Sequence, residues 1–361
     1  MPTSFQPIFE LTRGGVVEST HSGAIVTVDT HGKLLASLGD PQTVAFMRSS
    51  AKPFQVLPFV ERGGVEFFRL TEKELSLACA SHEGTDEHVR VARSILEKAG
   101  VGESALLCGS HMPGDVEAYK RLIKLDEAPT PIRNNCSGKH SAMLAHAKMR
   151  GSPLDTYLNP DHPIQQDILA SFAEMCLLPL NQIQLGIDGC SAPNFAVPLY
   201  NAALAFARLC DPGEVSEKRA SACQKITSAM MAHPEMISGL TEFDCRLMQV
   251  GAGRIVCKRG AEGFQAIGLL PGALAPDSPG IGITMKVVDG DLGQRRLDFR
   301  SYTRVRPAVT LEVLKQLGAL NEAQLDELAE FGPVKPVTNH RRIVVGESRP
   351  VFSMETESKV S

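Results

Sequence analysis

A chain of 361 residues can bury a sizeable core, and 43% hydrophobic with 22% charged residues is ordinary for a soluble globular protein. A formal net charge of −4 without a basic run argues against nucleic acid and against an anionic membrane surface as partners. No apolar run approaches a bilayer span, residues 1–10 lack a signal-peptide pattern, and nine scattered cysteines without a CxxC pair read as reduced thiols, so a cytoplasmic protein is expected.

In chain order, residues 24–29 (AIVTVD) are β-rich, residues 30–33 form a turn, and residues 34–38 pair back as a hairpin. From about Ser49 to Arg246 helical patterns dominate. Thr71-Glu72-Lys73-Glu74 has the form of a capping box opening a helix through Cys79. Residues 85–99 stop at Gly100 and residues 137–149 at Gly151, both glycine-ended helices. Residues 161–176 and 216–231 are two further amphipathic segments.

After Gly251 the strands return. Residues 254–258 and 264–268 flank a Gly-Ala-Glu-Gly turn, residues 282–289 end in an Asp-Gly-Asp turn, and residues 342–345 form another strand. Residues 307–317 and 321–329 are helical between them, and the polar tail after Phe352 is expected to fray. Strands, then helices, then strands predict an α/β (α+β) fold, with a mixed or antiparallel sheet drawn from both chain ends around an inserted helical block. Residues 1–48 with 250–361 would form a sheet-containing subdomain and residues 49–249 a mainly helical one, together making one catalytic unit.

Five short motifs carry chemistry. Ser49-Ser50-Ala51-Lys52 follows Arg48, and on a helix residues three apart share a face, so Lys52 can reach the Ser49 hydroxyl. A serine needs a neighbour to take its proton, and a lysine serves only when its pKa falls by about 3 units from about 10.4. Burial against Phe54, Val56 and Leu57, with a nearby cation, would supply that shift. Lys258-Arg259-Gly260 closes a strand, and Ser81-His82-Glu83-Gly84 is a polar loop between helices. An early S-x-x-K with a late strand-borne K-x-G is the arrangement of serine acyl-transfer enzymes of the β-lactamase type. Gly260 would leave the strand edge bare for a substrate backbone.

Arg133-Asn134-Asn135-Cys136-Ser137-Gly138-Lys139-His140 opens a helix, a position that lowers a cysteine pKa. Gly186-Ile187-Asp188-Gly189-Cys190-Ser191 reads as a strand entering a glycine-bounded turn that exposes Asp188 and Cys190. Two thiols from separate turns are half of a zinc site, but spacing alone does not specify one.

Together with Arg13-Gly14-Gly15-Val16-Val17-Glu18-Ser19 and His21-Ser22-Gly23-Ala24, these stretches resemble the rhizobial-type (class 3) L-asparaginases over about residues 10 to 350. The Asn-Cys-Ser-Gly-Lys-His and Gly-Ile-Asp-Gly-Cys segments are its most specific parts. The resemblance implies a fold similar to serine β-lactamases and glutaminases, a homodimer, and hydrolysis of L-asparagine to aspartate and ammonia. It implies two Ser–Lys tandems, Ser49–Lys52 and Ser81–Lys258, with Ser49 the expected nucleophile and Ser81 the alternative. It also implies one zinc per subunit held by Cys136, Cys190 and the amine of Lys139, with Arg48, Asp188, His140 and Asn135 around the site. The role of Asp244-Cys245-Arg246 stays open. A glutaminase or penicillin-recognising hydrolase on the same scaffold, or a zinc or thiol sensor without catalysis, are the rival readings.

Overall fold

The computed structural model describes residues 4–291 and 304–356. Its strands, in chain order, are β1 (Gln6–Arg13), β2 (Val16–Asp29), β3 (Leu34–Leu38), β4 (Val44–Phe46), β5 (Gln184–Ile187) and β6 (Pro193–Pro198). The second half of the chain adds β7 (Ile255–Arg259), β8 (Phe264–Leu269), β9 (Ile281–Val287), β10 (Lys335–Thr338), β11 (Val344–Pro350) and β12 (Glu355–Thr356). The large sheet runs β10-β11-β1-β2-β9-β8-β7, with β3 beside β2 and β12 beside β3. All its described pairings are antiparallel, and both chain ends contribute, as the strand–helix–strand order predicts. A small sheet, β4-β6-β5, joins β4, just before the helical stretch, to two strands inside it.

The large sheet is covered on both faces. Thr284 donates its hydroxyl to the Leu199 carbonyl at the start of the helix Leu199–Cys210, while its neighbour Met285 turns its sulfur to Thr310 of the helix Val305–Gln316. Successive side chains of a strand point to opposite faces, so β9 is buried between two helices. That explains why residues 23–29 of β2 are buried without alternation.

The helix Leu199–Cys210 and strand β6 escape the sequence reading for the same reason. Their residues are almost all buried, the polar Asn201 and Arg208 included, so neither presents an exposed polar face. The tail also differs from expectation: Glu355 and Thr356 pair with Ser37 and Ala36, and Phe352 and Met354 pack on the core. Backbone pairing and apolar burial hold that stretch in place; residues 357–361 lie outside the described residues. No described helix is long and apolar enough to cross a membrane.

Two features position the site. The helix Lys52–Glu61 is buried along nearly its whole length and packs against the helices Ser137–Arg150, Pro163–Cys176 and Glu217–Ala232. The 3-10 turn Arg48–Ala51 before it touches β6, β7 and β8, which brings the start of the helical block against the last strand of the large sheet.

Candidate active site and metal cluster

The helix Glu72–Ala78 starts in the predicted capping box, with the Thr71 amide donating to Glu74 Oε2 at 2.6 Å. Beyond its end the chain is fixed by two long-range bonds, the Ser81 amide to the Ile237 carbonyl at 2.8 Å and the His82 amide to the Asn135 carbonyl at 3.1 Å. Ser81 is thereby held where two amines converge. Lys52 Nζ donates to Ser81 Oγ at 2.9 Å, and Lys258 Nζ is hydrogen-bonded to the same oxygen at 2.8 Å. Lys52 and Lys258 are 1% and 0% exposed.

Burial first, and the charge of Lys52 second, push the Lys258 amine well below its ordinary range. A neutral amine beside a serine hydroxyl is a general base in position.

Ser49 lies on the 3-10 turn, half-buried, and its hydroxyl makes no hydrogen bond among the described residues. The S-x-x-K spacing predicts Lys52 over Ser49. The amine is drawn instead to three oxygens beyond the turn: the Ala80 carbonyl, Ser81 Oγ, and the Asn135 carbonyl at 3.4 Å. Ser50 ties the turn to β7 by donating to the Lys258 carbonyl at 2.7 Å. A Cβ on Gly260 would stand 2.4 Å from the Met47 carbonyl oxygen and 3.2 Å from Ser50 Oγ. Gly260 is therefore bare to admit the chain's own turn, not the substrate backbone expected from the sequence. Arg48, with φ at 51°, occupies the left-handed region at a cost of about 1–2 kcal/mol, and Asp188 Oδ1 holds its Nε at 2.5 Å.

Cys136 stands just before the helix Ser137–Arg150, its amide donating to Asn134 Oδ1 at 2.8 Å and its sulfur 3.1 Å from Asn135 Oδ1. Cys190 lies on the turn after β5, beside Ser191, another non-glycine residue at positive φ (68°). Lys139 Nζ donates to Cys190 Sγ at 2.9 Å, and that sulfur is 3.5 Å from Asp188 Oδ2. Ligand atoms of Cys136, Asp188 and Cys190 all lie within 4.8 Å of one another.

The Cys190 contact first, and then the Lys52 and Lys139 charges against burial, hold the Cys136 thiol well below its usual value. Burial opposes charge on Lys139, yet the two sulfurs push its ammonium up. Burial likewise opposes the Asp188 carboxylate, which Lys139 and Arg48 hold below its ordinary value. His140 is driven down to about 4 by burial and then by Lys139; its Nδ1 is 2.6 Å from Tyr157 Oη, and its Nε2 has no conventional partner among the described residues. Two sulfurs and a carboxylate oxygen gathered this closely could hold a metal ion, and their softness fits zinc. The cluster and the serine–lysine group are contiguous, because Lys52 reaches both Ser81 and the Asn135 carbonyl next to Cys136.

Three further participants have no role assigned from the sequence. Asp244, fully buried, accepts from the Arg259 amide at 2.7 Å and Gln265 Nε2 at 3.2 Å, so it backs β7 beside Lys258. Burial opposes its ionisation, but Lys258 and Arg259 hold it below the ordinary carboxylate range. Tyr157 orients His140. Glu83, two residues past Ser81, is pushed up to about 7 by burial and by Glu242, which itself pairs with Arg259. Glu83 lies in the Ser81–Gly84 loop and Asp244 in a stretch whose role the sequence leaves open, while Tyr157 gives no local signal; only tertiary contact reveals what each does.

No curated protein matches the chain. Among solved structures it is similar to a probable glutaminase from Bacillus subtilis in complex with 6-diazo-5-oxo-L-norleucine, with TM-score 0.39, 11% identity, and coverage of 82% of this chain and 84% of that one. It is similar also to a β-lactamase from Burkholderia ambifaria, with TM-score 0.36, 11% identity, and coverage of 81% and 93%. Likenesses this distant carry no argument about chemistry. The family described as L-asparaginase II matches residues 9–350, nearly the whole chain, and the chain therefore belongs to the L-asparaginase II family of amidohydrolases.

Proposed function

We propose that the protein hydrolyses the side-chain amide of L-asparagine to L-aspartate and ammonia through a serine ester. The observation that carries this reading is the convergence of Lys52 and Lys258 on the Ser81 hydroxyl, in an interior that favours the neutral amine of Lys258. Family membership supports the substrate.

Ser49 attacks the side-chain carbonyl carbon, a role supported by its greater exposure and its uncommitted oxygen. Lys52 takes the Ser49 proton as it gives one of its own to Ser81, and Ser81 hands its proton to neutral Lys258. The tetrahedral adduct collapses when the same path returns a proton to the leaving nitrogen, so ammonia departs and a β-aspartyl ester remains. Water then attacks the ester by the same route, releasing aspartate and restoring the serine. Positioned proton transfer of this kind contributes about 10² to 10⁴ in rate. Arg48, with Asp188 behind it, and Asn135 support the pocket.

Cys136, Cys190 and the amine of Lys139, with Asp188 alongside, would hold a zinc ion, provided the metal displaces the Lys139 proton. Bound there, zinc would supply a fixed positive charge that polarises or orients nearby oxygen groups. Residues 1–48 with 250–361 supply Arg48 and Lys258 and residues 49–249 the rest, which supports the two parts acting as one catalytic unit. A homodimer is part of the same family-based reading, checked by light scattering.

A second reading has Ser81 itself attack with Lys258 as base, favoured by its two amine contacts. A diazoketone analogue of asparagine separates them: label mapped to Ser49 supports the first, to Ser81 the second, and to neither removes the serine ester. Ammonia release from asparagine, glutamine and a chromogenic β-lactam, with and without chelator, tests the substrate. The expected result is turnover of asparagine well above glutamine. Stoichiometric zinc with no ammonia from any amide would replace the enzyme reading with that of a sensor.

A further inference from the structure

The phenol oxygen of Tyr157 has two neighbours in an interior where both Tyr157 and His140 are 0% exposed: the Leu107 amide at 3.0 Å and His140 Nδ1 at 2.6 Å. The amide can only donate, so it takes one acceptor position on the phenol oxygen. A phenol carries one hydrogen. If the imidazole were protonated on Nδ1, as the other neutral tautomer or as the cation, Tyr157 would accept twice and its own hydrogen would be buried without an acceptor. Folded proteins avoid such orphans. With the proton on Nε2, Tyr157 donates to Nδ1 and the account closes.

The Nε2–H then has one group to face. It finds no conventional partner among the described residues, and the Cys190 sulfur is the atom it interacts with across the site. Lys139 donates to that same sulfur at 2.9 Å. Two N–H groups directed at one sulfur fix where its lone pairs point. The His140 and Tyr157 rings cross at 83° with centroids 5.6 Å apart, so the phenol holds the imidazole plane as well as its proton.

We propose that Tyr157 sets His140 as the Nε2–H tautomer and through it directs an N–H at the Cys190 sulfur, making Tyr157 a positioning residue for the cysteine pair. Only the consequence for metal affinity rests on the zinc reading above; the tautomer does not. A partner of this kind fixes which nitrogen carries the proton and steadies the ligand beside it, and losing it typically weakens metal binding 10- to 100-fold.

The test is a long-range ¹H–¹⁵N correlation spectrum of the full chain labelled with ¹⁵N-histidine, recorded as purified and after chelation, with His140 assigned through His140→Gln. Wild type is expected to show Nδ1 bare and Nε2 protonated. Tyr157→Phe is expected to populate both tautomers and to raise the zinc dissociation constant about tenfold. Protonated Nδ1 in wild type overturns the proposal, and this spectrum decides even where Tyr157→Phe does not fold. A folded Tyr157→Phe with unchanged tautomer or unchanged zinc affinity overturns the positioning role. A wild-type chain with Nε2–H that binds no zinc supports the tautomer and sinks the zinc reading alone.

Discussion

Lys258 has no exposed surface, and three influences compete over its proton. Burial and the charge of Lys52 drive it off, while the buried carboxylate of Asp244 pulls it back; the first two win. The folded amine therefore titrates below its ordinary value of 10.5. Between those two pH values the unfolded chain binds more protons than the folded one, so stability rises as pH climbs through that window. Lys258 thus works against folding near neutrality while suiting the base role proposed for it, a common arrangement at active sites. Lys258→Met keeps the side-chain length and drops the charge. Its expected outcome is a urea midpoint equal to or above wild type near neutral pH, with asparagine turnover reduced about 10² to 10⁴-fold. In wild type, kcat/KM should rise with pH as the Lys258 proton leaves, and the variant should lose that acidic limb. Residual activity that keeps the limb would assign the base to another group.

At the scale of elements, the site depends on two helices approaching more closely than side chains normally permit. A Cβ added to Gly138 would stand 2.2 Å from the Leu77 carbonyl oxygen and 2.8 Å from its carbon, where backbone cannot yield without moving a whole helix. The helix Ser137–Arg150 carries Cys136 at its entrance, and the helix Glu72–Ala78 leads to Ser81. Gly138→Ala gains about 1 kcal/mol of helix propensity but meets overpacking that costs about 1–3 kcal/mol. The clash outweighs the propensity because its partner is backbone, so a lower Tm and a loss of turnover larger than unfolding explains are expected from calorimetry and initial rates. Wild-type turnover in this variant would mean that helix spacing does not set the site. Elements with local signals were legible in the sequence: the Thr71–Glu74 capping box, the glycine stops at 100 and 151, and the hairpin of β7 and β8. The helix Leu199–Cys210 was not, because no capping side chain or glycine stop marks its ends.

Across the whole molecule, each reactive group was recognisable within its own motif, but their meeting was not. Lys52, Ser81, Cys136, Cys190 and Lys258 come from five separate stretches that only the packing of the helical block on β7 brings together. Lys52 bonding Ser81 instead of Ser49, and Asp244 backing Lys258, are tertiary facts with no trace in local spacing. The same convergence would make metal binding at this cluster a property of the folded chain alone, since an unfolded chain keeps Cys136 and Cys190 on unlinked segments. An ion that binds only the folded state stabilises it by about 2.7 kcal/mol at one hundred times its dissociation constant. For a chain of this size that amounts to a rise in Tm of about 3–4 °C. Zinc should therefore raise the Tm of wild type, chelator should reverse the rise, and Cys136→Ala with Cys190→Ala should abolish the response. The double variant decides the matter, because zinc bound at surface histidines would also stabilise the fold. A rise that survives removal of both sulfurs belongs to another site; one that vanishes with them belongs to this cluster.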